Sequence, residues 1–140
     1  MASMVAACSS NGRPAATISD AAFVRRANAI CKETVPGLRA PDRKATSTTA
    51  LQSATLDKTA DSIAGVAARL RTLPVQSDDA ARVRGWLADW DRFVVVGHRY
   101  AAAVKADDPE HYTRIDDEAI KLAERIGTFA RGNHIDDCVL

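Results

Sequence analysis

Residues 77–107 read SDDAARVRGWLADWDRFVVVGHRYAAAVKAD. At the helical period, Val83, Trp86, Leu87, Trp90, Val94, Gly97, Ala101 and Val104 fall on one stripe. Ser77 is a suitable N-cap, and Asp78 and Asp79 follow it in the first turn, where the helix dipole favours negative charge. Asp107-Asp108-Pro109 stops the helix, because a residue before proline is pushed out of the α region. Phe93-Val94-Val95-Val96 would also fit a short buried strand, but no second strand-like run exists to pair with it. The helix reading therefore stands, with cover expected on more than one side at that level. Trp86 and Trp90, one turn apart, form a large anchor for other helices.

Three further helices build around this one. Before it, Leu51, Leu56, Ala60, Ile63, Val66, Ala67, Leu70 and Leu73 keep helical spacing from Thr48 or Thr49 up to Pro74. Gly65 inside that helix costs about 1 kcal/mol against alanine and implies a close helix crossing, as Gly85 and Gly97 do on the next. After it, Asp108 caps and Pro109 opens a helix carrying Tyr112, Ile115, Ala119, Leu122, Ile126 and Phe129, stopped by Gly132-Asn133. The first helix starts near Thr17-Ile18-Ser19-Asp20, capped by Thr17 or Ser19. It turns Phe23, Ala27, Ile30, Cys31 and Thr34 inward and ends at Pro36-Gly37. A polar loop follows over 38–46. The predicted fold is all-α: an antiparallel up-down four-helix bundle in one domain, residues 17–140.

Composition narrows the function classes. The chain has 140 residues, 46% hydrophobic and 26% charged, and a net charge of +1 with both signs interspersed. No basic patch points to nucleic acid, and no apolar run approaches the ~20 residues of a membrane span.

The N-terminal 16 residues read differently. Val5-Ala6-Ala7-Cys8 resembles a bacterial lipobox, whose cysteine thiol carries diacylglycerol, and Ser9 to Pro14 reads as a flexible tether. Residues 1–16 are thus a lipobox remnant and tether. Seven residues before Cys8 give neither a basic nor an apolar signal region, so on this reading either the translation start lies upstream or the segment is truncated. The expected place is the extracytoplasmic face of the cell membrane, held by lipid on Cys8, or otherwise secretion.

Cys31 lies late in helix one and Cys138 beyond helix four. A strict up-down bundle sets these at opposite ends. Pairing them needs a tail that folds back or a first helix that crosses the other three obliquely. An exported helical domain still favours the bond, and we expect Cys31–Cys138 with helix one crossing.

Val5-Ala6-Ala7-Cys8, the opening segment Phe23 to Cys31, Asp107-Asp108-Pro109 and the late Cys138 together resemble small all-helical envelope lipoproteins of mycobacteria and related actinobacteria. The resemblance implies location and a disulfide, and no chemistry.

Catalytic and metal patterns are missing from the sequence. It has no His-Glu-x-x-His, Glu-x-x-His, Cys-x-x-Cys, glycine-rich nucleotide loop or recognisable nucleophile context. His98 reads as a partly buried, hydrogen-bonded side chain. His134, Asp136, Asp137 and Cys138 could gather a metal only with a free thiolate, so no metal or cofactor is expected. The acidic run Asp116-Asp117-Glu118 should pair with Arg114, Lys121 and Arg125 on the helix surface. Trp86, Trp90, Phe93 and Tyr100 read first as core, and as the lining of a ligand pocket in the alternative. The leading expectation is a non-enzymatic, lipid-anchored envelope domain that binds an unknown envelope protein or stabilises an assembly outside the membrane. The runner-up is a carrier of a small apolar ligand, lipid or haem, which needs a void above about 300 Å3 at those aromatics. The third is a cytoplasmic helical interaction domain with three free thiols.

Overall fold

The computed structural model describes residues 17–39 and 49–140. The Cys8 box, its tether and most of the expected 38–46 loop lie outside the described residues, as does the Leu51 side chain. Four helices are present among the described residues: α1 (Ala21–Arg39), α2 (Thr49–Arg71), α3 (Ser77–Lys105) and α4 (Pro109–Gly132), followed by a 3-10 turn at Asp136–Cys138. No strand occurs among the described residues. This is the all-α four-helix architecture that the apolar periodicity predicts.

α3 is the central helix. It packs α2 on one side and α4 on the other, while α2 and α4 do not approach each other. Both hairpins are antiparallel. Along α3, Trp86, Asp89, Arg99 and Tyr100 meet Phe129, Arg125, Glu118 and Tyr112, so α4 descends as α3 rises. Asp91, His98 and Ala101 likewise meet Arg71, Asp57 and Ser53 on α2. Gly97 marks the closest crossing. A Cβ built there would sit 3.0 Å from Ala60 Cβ, so only glycine lets α2 and α3 approach this far. Gly65 and Gly85 differ from expectation: nothing lies within 4 Å of a Cβ at either, and neither marks a crossing.

α1 crosses this layer obliquely. The residues leading into it sit where α3 begins and α4 ends: Ile18 N–H donates to Asn133 Oδ1 at 2.6 Å, and Asp20 N–H to Asp79 Oδ2 at 2.9 Å. Its last turns lie over the second half of α2, with Glu33 on Arg69 and Thr34 and Leu38 bordering a hollow shared with Ser62 and Gly65. An aligned bundle helix would instead finish beside the start of α2. The apolar groups are divided accordingly. Phe23, Ala27, Cys31 and Val35 join Leu70, Trp86, Trp90, Ile126, Ile135 and their neighbours in one core, while Val96, Ala103, Ile115 and Leu122 form a second core that α1 does not reach.

Two local expectations are corrected. α1 does not stop at Pro36-Gly37 but runs on to Arg39. Val35 is fully buried and Leu38 packs on the core, and that burial holds the helix past the proline's missing N–H. Ser77 is the first helical residue of α3 rather than its cap; Gln76 occupies the cap position without a side-chain bond. Phe93–Val96 is covered on more than one side as expected, with Phe93 and Val94 on the first core and Phe93 and Val96 on the second, and only Val95, 58% exposed, faces outward. Asp108 caps α4 as expected, accepting from His111 N–H at 3.0 Å with Pro109 next in the chain.

The tail folds back along α1. Asn28 brackets it, its Nδ2 donating to the His134 carbonyl and its Oδ1 accepting from Asp137 N–H. His134 takes a positive φ of 59° to make this return. Cys31 and Cys138 are joined by a disulfide, with Cα atoms 5.0 Å apart and both residues fully buried. Oblique α1 and the returning tail together resolve the geometric conflict that a strict bundle posed.

Candidate functional site

The four aromatics singled out in the sequence do not surround one space. Trp86 and Trp90 meet edge to face at 6.0 Å and are both buried. Trp90 is wholly enclosed, and its indole N–H has no acceptor among the described residues. Such a group costs about 1–3 kcal/mol, which the burial of so large a ring offsets. Phe93 lies between the two cores, and Tyr100 packs on Tyr112 in the second. Burial, then the charge of Asp116, raises the Tyr100 hydroxyl above its ordinary value, which keeps it neutral.

Trp86 alone reaches a surface cleft. This opening, about 1060 Å3, runs between the first half of α3 and the last half of α4. Its floor is Trp86 stacked on Phe129, ring centroids 5.2 Å apart and planes 18° off parallel, and Trp86 Nε1–H is tied to the Ile126 carbonyl at 3.3 Å. Gly85 and Gly132 stand on its two walls, each with open space where a Cβ would be. The absence of side chains at these two positions holds the cleft open. Read along the sequence, the same glycines signal a helix crossing and a helix stop, so the cleft leaves no separate mark there.

The cleft walls carry charge. Arg82, Lys121 and Arg125 line it, together with Asp89 and Glu124. Asp89 is largely buried and shared by Arg92 and Arg125. Arg82 is held at 2.9 Å by Asp79. The expected pairing of the acidic run on α4 occurs differently: Glu118 reaches across to Arg99, Arg125 goes to Asp89, and Arg114 pairs with Glu110.

Above the cleft lies a junction of two carboxylates. Asp20 caps its own helix, its Oδ1 accepting from Ala22 and Phe23 N–H, while its Oδ2 accepts from Gln76 N–H at the head of α3. The cap is therefore Asp20, not Thr17 or Ser19. Asp79 Oδ2 in turn accepts from Ser19 N–H, Ser19 Oγ–H and Asp20 N–H. The Phe23 and Gln76 amides hold the Asp20 carboxyl below its ordinary value against the opposing effects of burial and Asp79. Burial pushes the Asp79 carboxyl up, but the Asp20 and Ser19 donors and Arg82 together outweigh it and leave it lowered.

His98 Nδ1 lies 2.8 Å from Asp57 Oδ1, linking α3 to α2. Cys31 and Cys138 are consumed by their bond. Among the described residues, no group of His, Cys, Asp and Glu side chains is arranged to hold a metal ion, and no helix is long and apolar enough to cross a membrane. Cys8 lies outside the described residues. No family model, curated protein or solved structure matches this chain.

Proposed function

We propose that this chain works outside the cytoplasm as a membrane-tethered helical binding domain, anchored by lipid on Cys8, with the α3–α4 cleft as its non-catalytic binding face. The observation that carries the reading is the fully buried Cys31–Cys138 bond. Structural disulfides of this kind persist in oxidising compartments and are rare in a reducing cytosol. The lipobox-like Val5-Ala6-Ala7-Cys8 supports the anchor, and the open cleft at Trp86 supports binding over packing alone. An enclosed carrier of lipid or haem at Trp86 and Trp90 has less support, because both indoles are packed into the core and the space beside Trp86 opens to solvent.

The test is intact mass of the protein from its native host, alkylated with and without prior reduction. A diacylglyceryl adduct on Cys8 with two thiols released only by reductant is expected. An unlipidated chain with three freely alkylated thiols would overturn the reading and leave a cytoplasmic interaction domain.

A further inference from the structure

The cleft combines an apolar floor with cationic walls. Arg82 and Arg125 are each fixed by a carboxylate, yet their side chains remain 40% and 57% exposed. A guanidinium carries five N–H donors, so an arginine held at one end keeps donors for a ligand in a preset position. Lys121, on the same α4 wall, forms no ion pair with the described residues. Arg82 is already balanced by Asp79, so Arg92, Lys121 and Arg125 face the two acids Asp89 and Glu124, and one positive charge is left over. The local balance favours a single negative group above the Trp86–Phe129 stack.

Ile18 is bonded to Asn133, and Asn133 borders the cleft. The chain that leads back to Cys8 therefore departs from the cleft's own end. Nine residue steps separate Thr17 from Cys8, and that length spans at most about 30–32 Å. A lipid on Cys8 thus confines the cleft end of the fold to the neighbourhood of the bilayer surface.

Resting on the tethered reading above, we propose that the cleft takes an anionic lipid from the membrane that anchors the chain. The headgroup phosphate sits at Lys121 and Arg125 on the α4 wall, and the upper part of an acyl chain lies on Trp86 and Phe129. Charge-assisted hydrogen bonds hold the head, and the apolar floor adds burial of the chain.

The experiment uses the full chain with its disulfide intact and Cys8→Ser, so that binding owes nothing to an anchor. It is mixed with vesicles of phosphatidylcholine, or of phosphatidylcholine and phosphatidylglycerol in equal parts, with brominated acyl chains that quench tryptophan. Binding to the anionic vesicles at least ~10-fold tighter, with quenching of Trp86, is expected. Lys121→Gln and Arg125→Gln should each weaken it about 3- to 10-fold, the latter leaving Asp89 its partner Arg92. Gly85→Leu fills the cleft without altering any charge and should abolish quenching. Equal binding to both vesicles, or full quenching in Gly85→Leu, would overturn the proposal. Competition by inorganic phosphate in place of vesicles would identify a free-anion site and overturn the membrane as source. None of these outcomes depends on whether the host lipidates Cys8, so this inference and the tethered reading fail separately.

Discussion

Asp20 and Asp79 cap across two helices: Asp79 Oδ2 accepts the Asp20 N–H at 2.9 Å, and Asp20 Oδ2 accepts the Gln76 N–H that opens the helix containing Asp79. Each carboxylate closes backbone donors that the other element would leave bare. The pair fastens α1 to the head of α3, the end of the fold where α4 also finishes.

Acid should loosen this junction. Both carboxyls titrate below their ordinary value of 3.8 in the folded protein. Their stabilisation is complete above the unfolded value and is lost as pH falls through the lower folded values. The urea midpoint should therefore drop steeply once pH passes below about 3.8, and less steeply in Asp79→Asn. Parallel curves for the two proteins would remove Asp79 from the account.

The three α2 and α3 glycines should divide by sign. Gly65→Ala and Gly85→Ala meet open space and each should stabilise by about 0.5–1 kcal/mol through helix propensity. Gly97→Ala puts its Cβ against Ala60 Cβ, an atom fixed to the α2 backbone, and should cost about 1–3 kcal/mol net. Chemical denaturation of the three variants checks this, and a stabilising Gly97→Ala would contradict the crossing.

Breaking the disulfide should be expensive. The bond joins positions 107 residues apart, and closing such a loop is worth about 4–5 kcal/mol in the chain-entropy model. Cys31→Ser with Cys138→Ser should lower stability by that order, read from denaturation midpoints. An unchanged midpoint would show that Asn28 and the buried Ile135 hold the tail unaided.

Apolar truncations should separate core from surface. Phe23→Ala removes the largest α1 side chain from a fully enclosed site and should cost about 3–5 kcal/mol. Val95→Ala, two positions into an equally apolar run, should change stability by less than about 0.5 kcal/mol because Val95 faces outward. Thermal melts distinguish the two directly.

How far the sequence carried the reading depends on the reach of each signal. α4 was legible because its stripe from Tyr112 to Phe129 never slips and its ends carry Asp108-Pro109 and Gly132-Asn133. Local rules misjudged α1 at Pro36, because the burial of Val35 that continues the helix is tertiary. Asp79 looked like an ordinary first-turn acid; its partners lie 59 and 60 residues away, and no local pattern encodes them. Trp86 and Tyr100 fall at helical spacing but stand fourteen residues apart, roughly 21 Å along a helix. A stripe records direction and not height, so it grouped side chains that belong to different cores.

The covalent link between Cys31 and Cys138 also sets how the molecule would bear tension. Pulled through Cys8 against the residues beyond Cys138, the load passes along the chain to Cys31, crosses the sulfur bridge and leaves through Val139 and Leu140. α2, α3 and α4 sit inside the closed ring and lie off that line. Under strain only α1 up to Cys31 would be asked to unravel, and the cleft between α3 and α4 would keep its shape.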